Sequence, residues 1–540
     1  MQFVADLHLH SKYSRAVSQN MVLPIMAEWG RKKGIDVLST GDWTHPLWLR
    51  EIGSQLEEKG EGLYGLKRSV IPNSKDVILN SSFDRLRMVS LPNPFQDLSR
   101  TEIPKSIRQA QDPEFTEGRV RNDNERVQHD NKREPLFLLS TEIASIYKQG
   151  NKLRRIHNLV FAPDFETAEK VNKELVRRGC NLHSDGRPII GLTAKDLLET
   201  ILSIDDRAML IPCHVWTPHF GIYGSASGFD SLEEAFGDLA QYVYGIETGL
   251  SSDPEMNWQM LELKNRSILS FSDAHSPAKM GREATVFELE ESSYENIRRA
   301  IVRTIEGRKS KVVVEDRGLR VEKDIYPQAS TIKNPSSTFY HLPSNRIIYT
   351  IEFYPEEGKY HFSGHRNCGI VRGPEEIKKD GNICTVCKRE LTEGVLYRVS
   401  QLGDKSLAEN HDNKMNSNNI KWYIDKTKKH PPYVKLVPLM EIVAEGLEST
   451  VSSQKVKTMF DSLCEEFGSE INILLKTPID LIRKSVGTKI GEGIEKVRKG
   501  TIVIDPGFDG EYGRVKIWNH DEAKIDSKND NVKMQMGLGF

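Results

Sequence analysis

A chain of 540 residues exceeds one ordinary domain, and about two to four domains are expected. Its 75 Lys and Arg balance 77 Asp and Glu, so no chain-wide basic field marks a nucleic-acid coat, and any such contact must be a local patch. No apolar run is long enough to cross a bilayer, and three of the six cysteines cluster, which fits a metal site in a reducing compartment better than a disulfide scaffold. The expectation is a soluble cytoplasmic protein with no membrane partner.

Residues 2–5 predict a short strand running into Asp6-Leu7-His8-Leu9-His10. Side chains two apart on a strand share a face, so Asp6, His8 and His10 face one way and Leu7 and Leu9 the other. Two imidazoles and a carboxylate at a strand end suit a borderline divalent cation; a polar strand end with solvated histidines is the plainer alternative. Residues 21–33 have helical spacing and stop at Gly34. Residues 35–40 read as a second strand, closing on Gly41-Asp42-Trp43-Thr44-His45. Strand, helix, strand, with polar residues at each strand terminus, is how a (β/α) barrel assembles its active face.

From 56 to 134 that rhythm breaks. Scattered prolines and asparagines and a polar run over 111–133 predict a segment inserted on the rim. Residues 135–142 are then a buried strand ending on Glu142. A strand beginning at His157 follows the basic turn Lys152-Leu153-Arg154-Arg155, and Asp164 caps a helix running to Arg178. Apolar strands over 208–214, 244–248 and 268–275 end on His214, on Glu247-Thr248 and on Asp273-Ala274-His275, and a helix over 296–305 closes the series. His8, His10, Asp42, Glu142, His157, His214, Asp273 and His275 thus all fall at or beside strand ends. One buried histidine is usually a hydrogen-bonded core residue; so many ligands on one rim point to a multinuclear metal centre.

Composition changes near residue 347. His365-Arg366-Asn367-Cys368 and Cys384-Thr385-Val386-Cys387 are two ligand pairs, each separated by two residues, the signature of a tetrahedral structural zinc with a Cys3His set. Arg366, Arg372, Lys378, Lys379, Lys388 and Arg389 around it read equally as a phosphate-contacting patch or a solvated charged surface. Residues 437–447, 454–467 and 471–486 read as helices. Ser485-Val486-Gly487-Thr488-Lys489-Ile490-Gly491, ahead of Lys496-Val497-Arg498-Lys499, resembles a helix-hairpin-helix, whose glycine turn offers N–H groups to phosphates. A structural turn reads equally well there. The loop Asp505-Pro506-Gly507-Phe508-Asp509-Gly510 and a strand over 514–518 precede a polar end, 519–540.

The set Asp6-x-His8-x-His10, Glu142, His157, His214 and Asp273-x-His275 resembles the polymerase and histidinol phosphatase (PHP) superfamily. The strings Glu247-Thr248-Gly249-Leu250-Ser251-Ser252-Asp253-Pro254 and Ser272-Asp273-Ala274-His275-Ser276-Pro277 are similar to those of the endonuclease Q family, PHP nucleases that act on DNA with deaminated bases. The resemblance implies an α/β architecture: a distorted (β/α)7 PHP barrel over 1–325 interrupted at about 56–134, a zinc ribbon over 326–410, and a helical DNA-binding region with a tail over 411–540. It implies that His8, His10, Glu142 and Asp273 hold one cation and carry catalysis. Glu142 would bridge to a second cation held by His157 and His214, with His275 and Asp42 serving a third. Tyr13-Ser14-Arg15 and Trp43 depart from the superfamily pattern, which bears on that third cation. Asp6 is implied to orient a ligand histidine. Arg282 is either a hold on a phosphoryl oxygen or a surface arginine. Trp43, Trp216 and His219 would wall a flipped base, or simply form a hydrophobic shell.

The implied cations are zinc, structural and catalytic, with magnesium or manganese serving activity. The implied partners are DNA carrying damaged bases, at the nucleoid, and a replication or transcription protein engaged through a tail that resembles one found in certain helicases. The implied reaction is hydrolysis of the phosphodiester 5′ to uracil, hypoxanthine, xanthine or an abasic site by metal-activated water. A phosphomonoesterase on small substrates and a non-catalytic DNA-binding or helicase-associated adaptor are the alternative readings.

Overall fold

The computed structural model describes residues 1–70, 133–302, 310–315, 318–323, 345–408 and 411–519. Most of the expected insertion therefore lies outside the described residues, as does the polar end of the chain.

β1 (Gln2–Asp6) pairs in parallel with β2 (Val37–Ser39). The front of the expected insertion belongs to the sheet instead: β3 (Leu56–Gly60) and β4 (Leu63–Leu66) form a hairpin, and β4 edges β5 (Leu136–Leu138), which lies parallel to β2. Leu56, Leu63 and Tyr64 are buried, which is why this stretch pairs rather than loops out. β6 (Ser140–Gln149) and β7 (Lys152–Phe161) make a long hairpin, with β8 (Ile189–Ile190) beside β6 and β9 (Met209–Pro212) beside β7. The strand expected to start at His157 thus begins earlier. Gly150, at φ 59°, lets the chain reverse, and the basic residues after it are strand, not turn.

β10 (Gly245–Glu247) and β11 (Ser267–Leu269) pair in parallel, and β12 (Ala284–Glu288) returns antiparallel along β1. Backbone bonds carry these ladders into one another. Val215 N–H donates to Glu247 O at 3.2 Å, joining the ends of β9 and β10, and Leu9 bridges Ala274, so that the chain beyond β11 lies against the end of β1. The run of neighbours β1, β2, β5–β6, β7, β9, β10, β11 comes back to β1, and the ends of these strands face a common centre.

β13 (Ser310–Glu315) and β14 (Gly318–Lys323) form a separate hairpin. β15 (Arg346–Glu352) adds to β12. After the small hairpin β16 (Ser363–His365) and β17 (Ile370–Arg372), three more strands follow, β18 (His411–Met415), β19 (Lys421–Asp425) and β20 (Tyr433–Lys435), and β20 pairs in parallel with β15. The result is one ten-stranded sheet in the order β18-β19-β20-β15-β12-β1-β2-β5-β4-β3, which runs across the boundaries the sequence suggested near 325 and 410.

α1 (Leu23–Lys33) ends at Gly34, φ 84°, as its spacing predicts, and α2 (Phe165–Arg177) is capped by Asp164, whose carboxylate accepts from Thr167 N at 2.8 Å. In the C-terminal third, α3 (Leu439–Gly446), α4 (Gln454–Phe467), α5 (Glu470–Leu475), α6 (Ile479–Val486) and α7 (Thr488–Lys499) follow one another closely. The single helix expected over 471–486 is two, because Pro478 has no N–H to continue the first. These helices share an apolar core with the sheet: Val286 and Ile351 pack in one cluster with Ile442, Phe460, Ile471 and Ile494. Across that seam Lys33 Nζ, at the end of α1, lies 2.7 Å from Glu470 Oε2, at the start of α5, and both residues are buried. Among the described residues no helix is long and apolar enough to cross a membrane.

A buried ion pair is costly to break from one side, because the survivor is left charged without a partner. Glu470→Ala should therefore lower stability by about 3–5 kcal/mol, whereas Lys33→Met with Glu470→Leu should recover most of the loss; urea denaturation of the three proteins measures both.

A candidate metal centre

The buried carboxylate of Glu142, on β6, is the point on which the ring of strand ends converges. Its Oε1 lies 2.5 Å from His157 Nδ1 and 3.0 Å from His214 Nε2; its Oε2 lies 3.3 Å from His10 Nε2 and 3.7 Å from His8 Nε2. Asp273 Oδ1 faces the same two imidazoles from the other side, 3.0 Å from His10 Nε2 and 3.6 Å from His8 Nε2. The His275 ring lies 4.7 Å from that of His10, tilted to it by 56°, with its Nδ1 on the Asp273 carbonyl at 2.9 Å. Among the described residues four overlapping groups here have ligand atoms close enough to share an ion: His8, His10 and Glu142; Glu142, His157 and His214; His10, Asp273 and His275; and His8, Cys213 and Glu247. His157 is not at a strand terminus but within β7. Because β7 runs antiparallel to β6 and β9, the early part of that strand lies at the edge where its neighbours end.

Behind the cluster sit carboxylates that orient it. Glu247 Oε1 lies 2.8 Å from His8 Nδ1, and Oε2 accepts from the His214 backbone N–H at 2.9 Å. With Nδ1 donating to a carboxylate, His8 Nε2 is left without a hydrogen-bond partner, buried and turned toward Glu142 and Asp273. An imidazole nitrogen facing two carboxylates suits a cation placed between them, a proton when no metal is bound, and the mixed imidazole and carboxylate set fits a divalent one. Asp42 does the same service for His10: its Oδ1 is 3.1 Å from His10 Nδ1, while Oδ2 accepts from Ser11 N, Ser11 Oγ and Ser14 Oγ at 2.6, 2.7 and 2.9 Å. It stands behind the ligand rather than beside it, and is absent from these groups. Asp6 accepts from Ser272 N, Ser272 Oγ and Gly281 N at 2.9, 2.6 and 2.9 Å. It holds the loop that presents Asp273, not a histidine as expected. Arg282 also serves that loop, donating from Nε to Ser272 O at 3.0 Å and from Nη2 to Asp273 O at 3.5 Å.

Charge and burial compete throughout. Burial alone would push His8 down, but Glu247, Asp273 and Glu142 lift its imidazole to about 10. Burial would likewise neutralise Glu142, yet His157, Arg187 and His10 hold it well below the usual carboxylate range. Asp273 is lowered against its burial by His8 and His10. His157 and His275 are lowered chiefly by burial. The centre is thus a set of ionised carboxylates that draw positive charge toward them.

Three of the residues here, Asp42, His214 and Asp273, take positive φ, at 47°, 35° and 47°. That region is strained for a residue with a Cβ, at roughly 1–3 kcal/mol each, and such strain gathers at functional sites. Trp43 and Trp216 are fully buried in the core around the site, and His219 packs edge-on to Tyr360 at 5.9 Å. Two residues that sequence reasoning assigned no role complete the arrangement. Glu247 carried a signal, a carboxylate ending an apolar strand. Arg187, whose Nη1 donates to Glu142 Oε2 at 3.1 Å, lies in a loop and carried none.

The second ligand set also assembles: one atom each from His365, Cys368, Cys384 and Cys387 lies within 4.8 Å of the others. A tetrahedral ion with bonds of about 2.3 Å sets its ligands roughly 3.8 Å apart, so the set fits zinc. The Cys387 and Val386 backbone N–H groups bring the Cys384 thiol down to about 6, toward the thiolate a metal binds, while burial and the neighbouring thiols push Cys368 up to about 11. Arg372, one of the expected surface cations, is buried and donates to the Gly381 and Ile383 carbonyls at 2.5 and 3.2 Å, shaping the loop that carries Cys384. The loop over 506–513 packs on this ribbon: Asp509 accepts from Arg366 N at 2.7 Å and Thr392 Oγ1 at 2.5 Å.

Residues 438–501 match the family model described as the MJ0043 C-terminal domain. The chain is 28% identical over 324 residues to the uncharacterized protein MJ0043 of Methanocaldococcus jannaschii, covering 58% of this chain and about a third (33%) of that protein. It is 24% identical over 367 residues to the uncharacterized protein YqxK of Bacillus subtilis, covering 67% of this chain and 74% of that protein. Two solved structures share its fold at a TM-score of 0.66. One is the lesion-specific endonuclease PfuEndoQ of Pyrococcus furiosus, at 24% identity over 96% of this chain and 95% of that one. The other is endonuclease Q in complex with a 27-mer duplex carrying an abasic lesion at its active site, at 25% identity over 96% and 97%. The resemblance to endonuclease Q found in the sequence thus extends to the fold over nearly the whole chain.

Two outcomes follow from buried carboxylates, one orienting a ligand imidazole and one beneath it. Glu247→Gln should keep the fold but loosen His8 and weaken metal binding by about 10–100-fold, read by zinc competition against a chromophoric chelator. Beneath it, Thr248 Oγ1 donates to Glu352 Oε2 at 3.0 Å, and burial pushes Glu352 up to about 8. A carboxyl raised above its ordinary value binds its proton more tightly folded than unfolded, so its contribution is complete below the ordinary value of 4.5 and is lost as pH rises through about 8. Thermal stability should fall across that window, and Glu352→Gln should flatten the fall.

Proposed function

We propose that this chain, which carries the endonuclease Q fold, is a metal-dependent DNA repair endonuclease. It cuts the phosphodiester 5′ to deaminated bases (uracil, hypoxanthine or xanthine) or to abasic sites. The observation that carries the reading is the convergence of His8, His10, His157, His214, Glu142 and Asp273 on one point at the ends of a ring of strands. Under this reading the ring is a distorted PHP-type barrel, the centre holds two cations with a third beside His275, and the Cys3His knuckle holds zinc.

Cations bound there supply Lewis acidity and a water of lowered pKa. The chain's own residues do the rest. Glu247 and Asp42 fix the two N-terminal imidazoles, and Glu142, between two ligand groups, ties them together. Asp6 and Arg282 hold the strained turn on which Asp273 sits. No serine or cysteine is needed as nucleophile. Cys213, 3.6 Å from Glu142 Oε1, is a fully buried thiol pushed well above its ordinary value by burial. DNA would meet the chain partly at the α6–α7 hairpin, where Gly487 at φ 87° makes the turn into the N-terminus of α7. Docking of a replication or transcription protein on the tail belongs to the same proposal, and Tyr512, 70% exposed with Lys359 Nζ over its ring at 4.5 Å, lies on that tail.

The test is nicking of a duplex with a single uracil beside an undamaged duplex, by protein stripped with chelator and then reloaded with zinc, manganese or magnesium. Cutting should appear only on the lesion strand and only after reloading. Asp273→Asn should reduce it on the order of a thousandfold, the equivalent of several kcal/mol of lost charge stabilisation. Equal cutting of both duplexes, or release of phosphate from small monoesters without nicking, would refute the assignment.

A further inference from the structure

Arg187 is the unexplained cation of the centre. Its guanidinium lies on Glu142 Oε2 at 3.1 Å, its side chain is 26% exposed where that of Glu142 is 0% exposed, and it reaches in from a loop rather than from a strand end. Among the described residues no lysine and no other arginine forms an ion pair with Glu142 or Asp273.

The loop that carries it is fastened on both sides. Gly186 N donates to Tyr13 O at 3.0 Å, Thr44 Oγ1 donates to Gly186 O at 3.2 Å, and Ala144 N donates to Pro188 O at 3.0 Å. Asp185 accepts from the backbone N–H groups of Arg15 and Arg187 at 3.3 and 3.2 Å. A Cβ on residue 186 would meet Asp42 Oδ2 at 2.4 Å and Ser14 Oγ at 2.5 Å, and Asp42 is itself held by His10, Ser11 and Ser14, so glycine is required there. The backbone of Arg187 is therefore fixed against the orienting carboxylate of His10, and only the side chain has freedom.

The guanidinium meets Glu142 through Nη1 alone, and a cation ligated by that carboxylate would weaken the contact, since the two positive charges repel in a low-dielectric site. The guanidinium then needs another anion at the mouth of the centre. Its planar fork of donors matches two oxygens of a phosphoryl group. We propose that Arg187, held by the Gly186 loop, is a phosphate-binding residue of the cation-loaded centre, taking the non-bridging oxygens of the phosphodiester. The proposal rests on the phosphoryl-transfer reading of the centre, but not on which DNA is cut.

The test uses the full chain loaded with zinc, with inorganic phosphate as the probe. Metal content is measured by atomic spectroscopy and phosphate affinity by calorimetry for the wild type, Arg187→Ala and Arg187→Lys. Arg187→Ala should keep the metal stoichiometry of the wild type and bind phosphate about ten- to a hundredfold more weakly, the range expected for hydrogen bonds to a charged group. Arg187→Lys, which keeps the charge but not the fork, should recover part of that loss. Unchanged phosphate affinity in Arg187→Ala at full metal content would overturn the proposal, as would loss of metal in both variants or a wild type that does not bind phosphate. A chain that binds phosphate through Arg187 yet nicks no lesion-bearing duplex would sink the repair reading and leave this one standing.

Discussion

The arrangement depends on one electrostatic constraint: four imidazoles and a guanidinium surround the fully buried carboxylate of Glu142, and His157, Arg187 and His10 hold it well below the usual carboxylate range against its burial. An isolated carboxylate could not remain charged at that depth. The strands that deliver those partners come from far apart in the sequence, so the site forms only when the ring of strand ends has formed. Asp42 and Glu247 then limit which way the imidazoles can turn. Fold and site are in this sense one constraint, met by polar groups at the edges of otherwise apolar strands.

The rest of the architecture supports that edge from behind. β12 and β15 extend the sheet, and the C-terminal helices cover it through a common apolar cluster and the buried Lys33–Glu470 pair. The C-terminal third is thus no loosely tethered appendage. Removing it would uncover Val286 and Ile351 and strand Lys33, so a truncated chain would fail for reasons of folding whatever its substrate. For that reason a deletion cannot separate a small-molecule phosphatase from a nuclease here, and substrate specificity has to.

Much of this was legible in the residues. The ligands sit in short local patterns at the ends of apolar strands, such as His8-x-His10 and Asp273-x-His275, and the two ligand pairs of the knuckle have a spacing that few other structures require. What was not legible has physical causes. A carboxylate that holds a ligand and one that is a ligand have the same chemistry and the same place in a strand, so Asp42 reads as a ligand until its oxygens are seen behind His10. The reversal of β7 was hidden because a basic turn and a basic strand have the same composition; Gly150 was the available clue. Arg187 could not be found, since nothing local distinguishes an arginine that reaches inward from one in solvent. The strands β18–β20 are short, and β18 is polar at all but its last residue, so they lacked the alternation that would announce them.

The left-handed backbone at Asp42, His214 and Asp273 carries an implication for how such a rim can change. Glycine would relax each of these turns, so substitutions that remove a metal contact or its support would at the same time ease the chain. Heat resistance and turnover would then pull these positions in opposite directions. A library screened for thermal tolerance alone would drift toward an inert protein, and its survivors would be marked by small residues at these bends.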